Sequence, residues 1–394
     1  EPVREYAREK LQESRDADAV RYRHLLWCLT LAEQAEPELK GPRQKKWLER
    51  LDREHDNLQV ALGWVLEREV GAQQSVELAA RLTDALWLFW YKRGYLSTGH
   101  RWLDATLSNS GILSAVTRAK VLGGAGMVAW ERGDYASARP MHEESLRLQR
   151  QAEDKPGIAF SLNHLGLVAL YQGEYGSAKE LLEEALILQQ ELEDTAGKAA
   201  ALHNLGLVAL YQGDYEPAKT HIEESLSLFR ELRDTWAISI LLNNLGLAAL
   251  HQGDYDRAAD LQAESLTLRR ELGDRGGVAE CLEGLSGVAG ARGKASRAVR
   301  LWAAAEAIRK EIGAPLPPGH RPLHAIHLTA ARSQLDDAAL AAAWDEGRSM
   351  TLEEAIDFAL TEEPAAISER VPSPEKPRAL TRREQEIAAL ITRG

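Results

Sequence analysis

The sequence predicts an all-α solenoid built from antiparallel helix pairs. Three observations carry that expectation. A glycine column returns every 40 residues, at Gly133, Gly173, Gly213, Gly253 and Gly293. A second column runs seven residues earlier, at Gly126, Gly166, Gly206, Gly246 and then Ser286. The composition favours helix, with only four Phe beside abundant Ala, Leu, Glu and Arg. Fixed-period repeats of this length stack so that each buries its neighbour's apolar face, and the stack offers an extended binding surface. A scaffold or sensor is therefore expected ahead of a catalytic pocket.

The elements follow in chain order. Residues 1–79 read as a helical arm. Within it, Arg43–Glu69 forms a long amphipathic helix with Trp47, Leu48, Leu51, Leu58, Leu62 and Val65 on one face. The apolar run Ala85–Tyr91 is too short to cross a bilayer and reads as a buried helix. Residues 80–118 form a degenerate first repeat, in which Gly94, Leu96, Gly99 and Leu107 match Gly133, Tyr135, Ala138 and Leu146 at an offset of 39. Atypical terminal repeats are normal, because they cap the stack. Five full repeats occupy 119–312.

In the copy Ala199–Trp236, a first helix carries Leu202, Leu205, Gly206 and Ala209 on one side, and Gly213 with Asp214 ends it. A second helix turns Tyr215, Ala218, Ile222, Ser225 and Leu226 inward. Gly206 and Ala218 let the pair approach closely. In the copy near Ala119, Gly123 and Gly124 are expected to loosen the first helix. Pro156, Asp194–Lys198 and Asp274–Gly277 are expected as turns between repeats. Capping helices follow over 313–361, where Thr351 and Glu354 form a capping box. Residues 362–379, rich in Pro, Ser and charge, read as a linker. Thr381 and Glu384 form another capping box and open a last helix over 380–394.

The repeat resembles the tetratricopeptide repeat (TPR). The motif's Leu-Gly pair, turn glycine, tyrosine and second-helix alanine stand here as Leu205-Gly206, Gly213, Tyr215 and Ala218. The resemblance implies a right-handed superhelix with a ligand-binding concave face lined by the first helix of each pair. A period above the usual 34 requires longer helices or wider loops. The expected face comprises Asn163, His203 and Asn243, then Leu167, Leu207 and Leu247, then Tyr171, Tyr211 and His251. Amides beside apolar and aromatic floors suit a peptide, a small-molecule effector or a protein. The same positions would also serve as plain solvated helix surface, or as contacts to another domain.

Other chemistry finds little support. The net charge of −12 argues against a nucleic-acid surface over most of the chain. Cys28 and Cys281 match no metal or redox spacing and read as reduced thiols of a cytoplasmic protein. No signal peptide or membrane span is expected. Gly287–Ser296 imitates a phosphate-binding loop, but Val288 and Ala295 occupy positions where that loop needs glycine and a hydroxyl. His320, His324 and His327 form a cluster read as a solvated capping segment. The paired glutamates Glu143-Glu144, Glu183-Glu184 and Glu223-Glu224 recur with the repeat and read as an outer face. No catalytic set, metal site or cofactor is expected within the chain.

The two ends resemble a second family. Leu380–Gly394 is similar to the first helix of the LuxR-type helix-turn-helix, through Leu380-Thr381, Arg383-Glu384, Glu386-Ile387, Leu390-Ile391 and Gly394. Ala341–Leu360 resembles the tail that leads into that module in large ATP-binding LuxR-type regulators of the STAND class. Val3–Leu11 looks like the end of the winged-helix region that follows their nucleotide-binding domain, and Glu54-His55-Asp56-Asn57-Leu58 with Ala61-Leu62 looks like the linker helices there. The resemblance implies an upstream domain that binds ATP or ADP, a TPR sensor here, and DNA contact only through the remainder of the helix-turn-helix. Oligomerisation is compatible with that layout. The expected function is signal sensing and protein interaction in a bacterial transcriptional regulator. The rivals are a TPR scaffold without a small effector and a peptide-binding TPR receptor.

Overall fold

A computed structural model describes residues 16–66, 73–109, 113–316 and 328–361, with the single positions 10, 14 and 111. No strand occurs among the described residues. The chain divides into a large unit, Glu1–Ala359, and a small one, Leu360–Gly394; the architecture below is that of the large unit.

Among the described residues four α-helices lead: α1 (Ala17–Ala35), α2 (Gln44–Leu66), α3 (Gln73–Arg93) and α4 (Leu96–Ser108). Five antiparallel pairs follow. They are α5 (Ala115–Glu131) with α6 (Tyr135–Gln151), α7 (Lys155–Tyr171) with α8 (Tyr175–Glu191), and α9 (Thr195–Gln212) with α10 (Tyr215–Leu232). Then come α11 (Thr235–Gln252) with α12 (Tyr255–Leu272), and α13 (Arg275–Ala291) with α14 (Ala295–Ile312). Two shorter helices, α15 (Asp337–Ser349) and α16 (Leu352–Leu360), close the series. Each pair packs on the next, and the whole is a TPR solenoid.

Helices of 17 or 18 residues account for the long period. The connections stay short, because each kind of turn has its own device. Within a pair, the periodic glycines take the left-handed conformation, with φ between +74° and +83°. Between pairs, Glu153, Glu193, Arg233 and Gly273 take that conformation. An aspartate follows each of these four and caps the next helix. Asp154, Asp194, Asp234 and Asp274 accept from the backbone N–H of Gly157, Gly197, Ala237 and Gly277 at 2.9–3.2 Å. Asp194–Lys198 and Asp274–Gly277 are thus caps and first helical turns rather than loops. Pro156 lies inside the first turn of α7, where its missing N–H has no helical acceptor to lose.

The seam within each pair explains the earlier glycine column. A Cβ built on Gly166 would lie 2.6 Å from Leu182 Cγ, and one on Gly206 would lie 2.6 Å from Ile222 Cγ1. Serines tie the same seams: Ser145, Ser225 and Ser265 donate to the carbonyls of Ala119, Ala199 and Ser239 at 2.6–2.8 Å. Gly123 and Gly124 do not loosen α5, which is continuous. They make room for Phe160 and Trp87, whose rings stand 3.0 and 2.9 Å from the missing Cβ positions. The last pair is covered by α16, whose Ala355, Ile356 and Ala359 share a core with Ala298, Leu301 and Ala305. The Thr351–Glu354 box starts that helix, with Thr351 N–H donating to Glu354 at 2.8 Å and Glu354 N–H donating back at 3.3 Å. Gly293 occupies an ordinary helix-to-helix turn, so the stretch around it is no phosphate loop.

Candidate functional site: an aromatic lumen closed by the arm

The first helices of the pairs, α5 to α13, turn one face to a common interior. With α3 they line a partly open cavity of about 490 Å³. Aromatic rings run along it. Trp87 meets Phe160 edge-on at 6.1 Å, Trp130 meets Tyr171 at 5.2 Å, and Tyr171 meets Tyr211 at 5.8 Å. Amides add a polar strip: Asn204 donates to Asn163 at 3.0 Å, and the Asn244 amide lies 2.8 Å from His203 Nε2.

The arm closes the interior. The Lys92 ammonium stands 4.5 Å from the centre of the Trp236 ring, and Tyr91 meets the same ring edge-on at 5.5 Å. Gln44 donates to Asp234 at 3.2 Å, and Arg93 donates to the carbonyl of Leu272. These contacts join α2 and α3 to α11 and α12 although some 180 residues separate them along the chain. Lys92 is almost wholly buried, and its Nζ also donates to the carbonyl of Leu39 at 2.7 Å. Burial pulls its pKa down to about 8.

Burial governs the interior's other titratable groups. His164 and His203 are both held neutral, down to about 4, chiefly by desolvation. The Glu131 carboxyl is pushed up to about 8, first by burial and then by the charge of Glu280. Arg269 donates to Glu280 at 2.8 Å and stands 3.8 Å from Asp274. Burial pulls Arg269 down, but those carboxylates more than offset it and its pKa rises.

Seven of the nine expected residues line the cavity: Asn163, Leu167, Tyr171, His203, Leu207, Tyr211 and Leu247. Asn243 and His251 do not. Asn243 is buried against the neighbouring helix, where its backbone carbonyl accepts from Gln262 at 3.1 Å. His251 stacks on Tyr215, the turn tyrosine of the preceding pair, with ring centres 5.7 Å apart. Sequence reasoning passed over Asn204 and Asn244, one position further along the helix. Their hydrogen bonds explain the offset, since each links positions 41 apart rather than 40. It also passed over Glu131 and Glu280. Both stand out only when their columns are read across the repeats: Glu131 precedes Tyr171, Tyr211 and His251, while Glu280 follows Phe160, Ala200 and Ile240.

Among the described residues no group of three or more His, Cys, Asp or Glu could hold a metal ion, and no helix is long and apolar enough to cross a membrane. The cluster His320, His324 and His327, the linker 362–379 and the segment 380–394 lie outside the described residues, as does most of Val3–Leu11.

No curated protein matches the chain. The solved structure of a Rap protein complexed with Competence and Sporulation Factor is similar, with a TM-score of 0.60 at 15% identity over 85% of this chain and 90% of that one. The Rap conjugation gene regulator of plasmid pLS20, in complex with the Phr* peptide, gives 0.51 at 12% identity over 86% and 99%. At such identities the likeness is one of fold. The tetratricopeptide-repeat model matches residues 117–191, 161–231 and 237–311, and the helix pairs of this solenoid are therefore tetratricopeptide repeats.

Proposed function

We propose that the chain is the signal-sensing and protein-interaction region of a bacterial ATP-dependent transcriptional regulator, with the signal held in the lumen. The observation that carries this reading is the cavity itself. Its volume falls within the roughly 300–1,000 Å³ of small-molecule sites, and it joins apolar and aromatic walls to a few convergent polar groups. Two structures of similar fold are complexes, one with Competence and Sporulation Factor and one with the Phr* peptide, which supports a peptide-sized ligand. The regulator context rests on the resemblance of the chain's two ends.

The arrangement supplies a mechanism. A ligand in the lumen touches α3 on one side and α11 or α13 on the other. It therefore changes the free energy of docking the arm. Only a ligand with different affinities for the docked and undocked states shifts that equilibrium. The arm would pass the shift to the nucleotide-binding domain that the resemblance places before it.

The test is native mass spectrometry of the chain with a pool of random tetrapeptides, followed by hydrogen exchange. Retention of one peptide per chain, with slower exchange at the ends of α3 and α11, is expected. A chain that retains none, or one that binds peptide while exchange at both helices stays unchanged, overturns the reading. Binding of protein partners alone, with the lumen empty, would put the scaffold in its place.

A further inference from the structure

Glu131 is the lumen group that the fold does not use. Asp194, Asp234 and Asp274 cap helices. Glu280 holds Arg269. No hydrogen bond or ion pair joins Glu131 to another described residue. Arg309 and Arg269 act on it only through space, because their guanidiniums are committed to Glu283 at 2.5 and 3.0 Å and to Glu280 at 2.8 Å. The repeat does not require a carboxylate there either, since the same column carries tyrosine, tyrosine and histidine in the next three copies. Glu280 breaks its own column in the same way.

These two exceptions converge. Glu131 ends α5 and reaches across to the first turn of α13, where a Cβ built on Gly276 would lie 3.9 Å from its Oε1. Glu280 stands one turn further along α13, and both line the cavity. The adjoining Trp130 ring and the Trp236 ring offer faces that attract cations. Trp236 already carries one ammonium group, that of Lys92. Beside them Arg269, only 1% exposed, leaves Nε and Nη2 without an acceptor. A carboxyl group that bonds to nothing, aromatic faces and vacant N–H donors together describe a site for a positive group with an oxygen acceptor close by.

We propose that the lumen recognises its ligand through an ammonium or guanidinium group seated between Glu131 and Glu280, with a neighbouring ligand oxygen accepting from Arg269. This rests on the reading of the lumen as the ligand site and names the chemistry that site selects. Two sources could supply such a group: the basic side chain or free amino end of a short peptide, or a free amine such as a polyamine.

The experiment is calorimetric titration of the intact chain with two tetrapeptide pools, one carrying arginine at a fixed position and the other its uncharged isostere citrulline. Spermidine and free arginine form a third arm, and the titrations are repeated on Glu131→Gln. Preference for the arginine pool, reduced about 10- to 100-fold in Glu131→Gln while citrulline binding is unchanged, is expected of a peptide cation. Binding of spermidine or arginine with the same loss in the variant assigns the cation to a free amine. Equal affinity for the arginine and citrulline pools overturns the cation site and leaves the lumen reading standing. Absence of binding by every probe, in a chain whose helicity and melting temperature show it folded, removes both. Glu131→Asp separates charge from shape: it should retain more of the arginine preference than Glu131→Gln, and equal loss in the two variants counts against a charge-specific contact.

Discussion

The lumen and the outer face of this solenoid are built by one repeat, yet they carry unlike chemistry. The outer face is periodic and wet. Its charges pair between neighbouring copies, as Arg139 with Glu174, Arg150 with Glu184, and Arg257 with Glu223. The lumen face is aromatic and irregular, and holds neutral histidines and a carboxyl pushed up to about 8. Exposed ion pairs can drift in sequence at little cost, whereas a buried polar group persists only where something satisfies it or uses it. The difference teaches where to look in a repeat protein: selection for folding makes copies alike, so function collects where inward-facing columns break.

The sharpest contrast in stability should come from the seam beneath both faces. Leu182 is fully buried against Gly166, and Leu182→Ala is expected to cost about 2–5 kcal/mol in chemical denaturation. Acid should then act through the interior rather than the exterior. His142, His164 and His203 all have folded pKa values below the ordinary 6.5, because burial disfavours their charged forms. The stability that His164 and His203 contribute is complete above about pH 6.5 and is lost as pH falls toward about 4, and that of His142 is lost in the same direction. The slope is about 1.4 kcal/mol per pH unit for each ring that stays neutral. A thermal-melting series over that window should steepen as predicted and should flatten in His203→Gln; an unchanged slope would remove that ring from the account.

Glu131 has the opposite sign. Its folded carboxyl is raised, so its contribution is present below about pH 4.5 and is lost as pH rises to about 8. Glu131→Gln should melt with the parent chain at pH 4.5 and above it at pH 8. Smaller again is the cap at Asp154, where Asp154→Ala should cost about 1 kcal/mol by denaturant titration. The outer face comes last. Glu184→Ala breaks a pair whose side chains are both about half exposed, and a change within about 1 kcal/mol, screened by salt, is expected. A larger loss there would blur the contrast between the faces.

Much of the fold was legible because steric necessity repeats. Gly213 recurs because its turn needs a positive φ, and Gly206 because Ile222 leaves no room for a side chain. The turns between pairs were misplaced because they rely on non-glycine residues such as Glu193 at positive φ, which have no compositional mark. The aspartate that follows was the better signal. Of the lumen, the strip through Asn163, Leu167 and Tyr171 follows from helical periodicity alone. Its closure by Lys92 and Gln44 does not, because the curvature that brings α3 to Trp236 accumulates from small rotations over several pairs. The site's carboxylates escaped because a period is found by what recurs, and Glu131 and Glu280 are what does not.

The central claim is that the lumen takes a ligand. Ala200 tests it most directly, since it lines the cavity at the position where the flanking copies carry Phe160 and Ile240. Ala200→Trp should fill the cavity from within. Random-tetrapeptide binding to this variant and to the parent chain, read by calorimetry with helicity and melting temperature as controls, is the decisive comparison. Binding by the parent and its loss in a folded Ala200→Trp chain is the predicted result. Equal binding by both would place the ligand elsewhere on the solenoid and contradict the account.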